Sequence, residues 1–222
     1  MKIEVFETLN YLIHYPKNYK EGERYPVLLQ LHGAGTRGIT TEEYAQSPSF
    51  GDIIASSGDQ MIIVAPHCTL DSWFDKFETL IRFANHFATA PFTDSQRLYL
   101  MGGSMGAYTA WQLAMSQPHL FAAMIPICGG GMYWNASRLV NVPVWAFHGA
   151  NDTTVFPEES KKLVEKLQKK GAEAKLTIYP NNAHDAWTDT YRNPEVFAWL
   201  LSHRKKNEKK EEISCQGAKE FA

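Results

Sequence analysis

Leu98-Tyr99-Leu100-Met101-Gly102-Gly103-Ser104-Met105-Gly106-Ala107 is the stretch that decides the fold. An apolar run passes directly into the pattern G-x-S-x-G, and the following segment, Met105 to Ser116, stops before Pro118. The run reads as a buried strand, Leu98 to Met101, and the segment as a helix. A serine between the two sits on a tight strand-to-helix turn, where flanking glycines avoid collisions with neighbouring backbone. Such a turn lifts the hydroxyl clear of the sheet, and the helix N-terminus favours negative charge forming beside it.

Working outward, similar Val-, Ile- and Leu-rich runs recur at Val27 to Leu31, Met61 to Ala65 and Val144 to Phe147. Weaker ones lie at Ala123 to Ile127 and Lys175 to Tyr179, and Leu9 to Tyr15 suits an antiparallel partner at the start of the sheet. Between them Phe74 to Ala88 carries Phe77, Leu80, Ile81, Ala84 and Phe87 along one helical face. Pro157 to Lys170, closed by Gly171, and Pro194 to Ser202 read as further helices. Strands alternating with helices predict an α/β fold, a mostly parallel, doubly wound sheet flanked by helices. Ligands then bind beyond the carboxyl ends of the strands. The expected boundaries are one domain over residues 1–204 and a Lys- and Glu-rich, flexible tail over 205–222.

A serine hydroxyl needs a base, and the base needs an orienting acid. Asp152 follows the strand at Val144 in His148-Gly149-Ala150-Asn151-Asp152, and His184 follows the strand at Lys175 in Asn181-Asn182-Ala183-His184-Asp185. Each stands just past a strand end, in the order serine, acid, histidine. Asp185 and Asp189 are alternative acids and His148 an alternative base, each ranked below. Oxyanion donors are expected from the backbone amides of Met105 and Ala34, with Gly33 next; Ala34 lies in Leu31-His32-Gly33-Ala34-Gly35, where small residues permit close approach.

Composition narrows the partners. The 222 residues carry 22 basic against 24 acidic side chains, which provides no positive field for nucleic acid or an anionic membrane. No apolar run approaches the roughly 18 residues of a membrane span, and the N-terminus lacks the apolar core of a signal peptide. Cys68, Cys128 and Cys215 are odd in number and far apart, which suits reduced thiols and a cytoplasmic protein and suggests neither disulfides nor a metal site. A small-molecule partner and no cofactor are expected.

The segments His32-Gly33-Ala34-Gly35-Thr36-Arg37-Gly38, Ala65-Pro66-His67, Gly103-Ser104-Met105-Gly106, Pro126-Ile127-Cys128-Gly129-Gly130-Gly131, His148-Gly149-Ala150-Asn151-Asp152 and Ala183-His184-Asp185-Ala186-Trp187 resemble one branch of the α/β-hydrolases. It is the prolyl-oligopeptidase-like, phospholipase/carboxylesterase branch, which includes feruloyl esterases and dienelactone hydrolase relatives. Thr36, where that branch often has an acid, and Ala107, which follows a position that is often doubled glycine, are departures. The resemblance implies Ser104, Asp152 and His184 as catalytic triad, Ala34 and Met105 as oxyanion hole, and hydrolysis of a carboxylic ester. About fifteen residues separate Cys128 from Val144, too few for a large cap domain, so an open site is expected. Among aromatic residues near the expected site (Trp73, Tyr133, Trp134, Phe156, Trp187), Trp73 and Trp187 are the preferred substrate contacts. A peptidase of the same branch is the nearest alternative, disfavoured because these residues include no large peptide-filtering domain. A non-catalytic binding protein is the third.

Overall fold

The computed structural model describes residues 1–69 and 72–205. One sheet organises it, with strands β1 (Lys2–Phe6), β2 (Leu9–His14), β3 (Tyr25–Leu31), β4 (Ile62–His67), β5 (Thr93–Gly103), β6 (Ala123–Ile127), β7 (Val144–Gly149) and β8 (Ala174–Tyr179). Their order is β1-β2-β4-β3-β5-β6-β7-β8. β2 pairs antiparallel with β1 and β4, and every other pairing is parallel. All residues of β4 and β6 are buried, which explains why these strands read as unbroken apolar runs and not as alternating ones.

Helices α1 (Thr41–Ala45), α2 (Pro48–Ser56), α3 (Phe77–Thr89), α4 (Met105–Ser116), α5 (Glu158–Gln168), α6 (Trp187–Tyr191) and α7 (Pro194–Ser202) cover the sheet. Successive residues of β3 feed opposite layers: Val27, Leu29 and Leu31 pack with Phe83, Trp111 and Leu163 of α3, α4 and α5. Leu28 packs with Tyr44, Phe50, Ile53, Phe197 and Leu200 on the other face. Chain direction across the sheet reverses at β3, since β4 lies on one side of it and β5 on the other. The carboxyl ends flanking this switch point lead into the segments that hold Ala34 and Ser104.

The helices expected at Met105 to Ser116 and Pro194 to Ser202 form with those bounds. The helix expected from Phe74 starts at Phe77 instead, because Ser72 and Asp75 close a turn: the Ser72 amide donates to Asp75 Oδ2 at 2.8 Å. Strand β1 and helices α1, α2 and α6 were not expected. The sequence holds the signals for two of them. Thr40 and Glu43 form a capping box at α1, and Ser47-Pro48 supplies an N-cap and a first-turn proline for α2. The interval between β6 and β7 holds a short 3₁₀ helix, Tyr133–Leu139. Among the described residues no helix is long and apolar enough to cross a membrane. The predicted tail lies outside the described residues apart from Lys205, whose amide donates to the Gln96 carbonyl at 2.9 Å.

Candidate active site

Ser104 joins β5 to α4 at φ 53° and ψ −118°. A side chain in this region costs on the order of 1–3 kcal/mol, so the surroundings must enforce it. They do so through close backbone contact. A methyl group at Gly106 would come within 2.1 Å of the Leu31 carbonyl oxygen, and one at Gly102 within 2.2 Å of the Gly106 oxygen. The α4 N-terminus therefore lies directly against the ends of β3 and β5. The Ser104 amide donates to the Ile127 carbonyl at 2.9 Å, tying the turn to the end of β6.

Asp152 and His184 come together because the loops after β7 and β8 interlock. Asn151 N–H donates to the Asn182 carbonyl at 3.0 Å, and a methyl group at Gly149 would lie 2.1 Å from the Ala183 oxygen. Two short hydrogen bonds then link the predicted residues. Ser104 Oγ lies 2.8 Å from His184 Nε2, and His184 Nδ1 lies 2.7 Å from Asp152 Oδ2. The carboxylate accepts a hydrogen bond from Nδ1–H, which leaves Nε2 to accept one from the serine hydroxyl.

The Asp152 side chain is fully buried, whereas that of His184 is 21% exposed. Burial pushes the Asp152 carboxyl pKa upward, but the His184 bond and the amides of Val155 and Thr154, each 2.9 Å from Oδ1, prevail and hold it below its ordinary value. The acid is thus charged where the imidazole needs an anionic partner. His148 is buried and burial lowers its pKa; its Nε2 lies 2.9 Å from the Val155 carbonyl and 3.2 Å from Asp152 Oδ2, and its Nδ1 lies 2.7 Å from Ser160 Oγ. It braces the acid's loop from behind. Asp185 accepts from the Ala183 amide at 3.0 Å and Asp189 from Asn182 Nδ2 at 2.6 Å, so both serve the loop.

The loop after β3 reaches the serine. A methyl group at Gly33 would stand 3.3 Å from Ser104 Cβ, and Ala34 shares a pocket with Ser104 and His184. Trp73 requires a correction. Its ring is fully buried and is absent from the pocket wall; its indole N–H donates to the His32 carbonyl at 2.9 Å, and its ring centroid is 4.8 Å from that of His32. Burying so large an apolar ring beneath the loop is worth more than exposing it to substrate. His32 in turn accepts from the Cys68 amide at 3.0 Å, and burial drops its pKa to about 4, so it stays neutral as a strut for the loop.

Trp187 lines the pocket, with its ring edge-to-face to His184 at 5.2 Å. Tyr133, Trp134 and Phe156 are exposed and lie off its wall. The pocket encloses about 520 Å³, and its remaining wall includes Gln30, Tyr44, Phe50, Ile53 and Tyr191, none singled out from sequence. Tyr44 donates to Gln30 Oε1. The capping signals of α1 and α2 mark the two helices that carry Tyr44, Phe50 and Ile53 to this position.

A family model described as the dienelactone hydrolase family matches residues 69–221. The chain belongs to the dienelactone hydrolase family. Its fold is that of the α/β-hydrolases, and the family is one of esterase-type hydrolases. A thermostable esterase of known structure is 29% identical and superposes with TM-score 0.80, covering 89% of this chain and 60% of that one. Est1E from Butyrivibrio proteoclasticus shares the fold at 13% identity and TM-score 0.69, covering 90% of this chain and 97% of its own. Among curated proteins, a probable dipeptidyl-aminopeptidase B of Grosmannia clavigera is 24% identical over 87% of this chain and 24% of its own length. This dienelactone hydrolase family chain therefore spans about a quarter of that curated relative and three fifths of that esterase.

Proposed function

We propose that this member of the dienelactone hydrolase family is a serine esterase acting on small-molecule carboxylic esters, with Ser104 as nucleophile, His184 as general base and Asp152 as orienting acid. The reading rests above all on the chain of contacts from Ser104 Oγ through both nitrogens of His184 to buried Asp152, at 2.8 and 2.7 Å. Ser104 attacks the ester carbonyl while His184 Nε2 takes its proton; the same nitrogen returns that proton to the leaving alcohol. Water, activated by His184, then releases the acid from the acyl-enzyme. The amides of Ala34 and Met105 hold the oxyanion, each contributing about 3 kcal/mol to the transition state. The aromatic and aliphatic wall formed by Phe50, Ile53 and Trp187 supports short acyl or aryl groups as the part of the substrate that is buried.

A peptidase is the second reading, favoured by the likeness to the probable dipeptidyl-aminopeptidase B. Matched p-nitrophenyl esters and p-nitroanilides separate the two. The esterase reading expects kcat/KM on the ester to exceed that on the anilide by at least about 100-fold, and Ser104→Ala to lower kcat by at least about 10⁴-fold. Comparable anilide turnover overturns it in favour of a peptidase, and no turnover of either substrate favours a binding protein.

A further inference from the structure

Cys128 has no part in the proposed ester chemistry, yet it occupies an unusual backbone. It follows β6 at φ 50°, a conformation strained for any residue with a side chain, although Gly129, Gly130 and Gly131 come next. Its thiol is fully buried and forms no disulfide. It also stands beside two side chains of the site: one ligand atom each from Cys128, Asp152 and His184 all lie within 4.8 Å of one another. The three follow three successive strands, β6, β7 and β8, so cysteine spacing along the sequence gives no sign of the cluster.

We propose that Cys128, Asp152 and His184 form an inhibitory binding site for a zinc-class divalent cation. A thiolate, an imidazole nitrogen and a carboxylate oxygen suit zinc, whereas magnesium and calcium prefer oxygen alone. Tetrahedral zinc spaces such ligands about 3.3–3.6 Å apart. The 2.7 Å contact between His184 Nδ1 and Asp152 Oδ2 must open slightly and the thiol must close in, with water completing the fourth position. On binding, bonds form from the metal to Sγ, Nδ1 and Oδ2. The thiol proton goes to solvent, the imidazole proton moves from Nδ1 to Nε2 through solvent, and nothing is oxidised. With Nε2 protonated, His184 has no lone pair for the Ser104 hydroxyl 2.8 Å away. The inhibitory effect rests on the proposed role of His184; metal binding does not.

The test titrates zinc sulfate against chelator-treated wild type, Cys128→Ser and Cys128→Ala during p-nitrophenyl acetate hydrolysis. Wild type is expected to lose activity reversibly, with recovery in EDTA. Both variants are expected to keep basal turnover and to need at least about tenfold more zinc for half-inhibition. Equal sensitivity of all three proteins, or no inhibition of wild type, overturns the proposal. Cobalt chloride added to Ser104→Ala supplies a readout independent of activity: a thiolate-to-cobalt charge-transfer band is expected, and is expected to vanish when Cys128→Ser is added. Absence of the band overturns the metal site even if esters are hydrolysed. Its presence without ester hydrolysis leaves the site standing and removes only the serine esterase reading.

Discussion

Asp152 is a buried carboxylate accepting hydrogen bonds from Thr154 N, Val155 N and His184 Nδ1, and its charge fixes which histidine nitrogen faces the serine. Asp152→Asn keeps the shape and removes the charge, so kcat/KM on an ester is expected to fall about 10³–10⁴-fold. A fall below tenfold contradicts the assigned role. The same group makes a stability prediction. Its folded pKa lies below the ordinary value, so the carboxylate adds stability above the ordinary carboxylate range, and that stability is lost as pH falls through the folded pKa. The stability gap between wild type and Asp152→Asn, measured by urea unfolding, is expected to be widest near neutral pH and to close in strong acid. A gap independent of pH contradicts a lowered pKa for Asp152 in the folded protein. At this scale Ser104, Asp152 and His184 were legible because each is a polar residue just past an apolar run. Trp73 was misread because an aromatic residue near a strand end looks the same in sequence whether its ring faces substrate or lies under the loop.

The elements that shape the pocket were harder to read than the one that holds the serine. The strand-turn-helix around Ser104 announces itself through Gly102 and Gly106, whose missing side chains let backbone meet backbone. Helices α1 and α2 are short: α2 offers a single i, i+3, i+4 set, Phe50, Ile53 and Ile54, and the caps are the clearer signal for both. The cap at Thr40 therefore matters for function as well as stability: its side chain accepts from Glu43 N at 3.1 Å at the start of the helix carrying Tyr44. Thr40→Ala is expected to cost about 1 kcal/mol, a Tm decrease of about 2–4 °C. It is also expected to raise KM with kcat nearly unchanged, because the loosened wall leaves the Ser104–His184 pair alone. A loss confined to kcat contradicts the assignment of this wall to substrate binding.

Across the whole molecule, one arrangement does the positioning. Parallel strands β3, β5, β7 and β8 end on the same side of the sheet, so segments separated widely in sequence deliver Ala34, Ser104, Asp152 and His184 to a common rim. This much followed from the alternation of apolar runs and helical stretches, since that alternation permits few topologies. The exposed strand β1 and the side chains meeting across the pocket did not follow, because pairing and facing are set by tertiary contact, which periodicity does not encode. The central claim is that this rim activates Ser104. A fluorophosphonate probe followed by peptide mass spectrometry tests it most directly: one adduct is expected, on the peptide containing Ser104, absent in Ser104→Ala and strongly slowed in His184→Ala. No adduct, or one that persists in Ser104→Ala, would contradict the account.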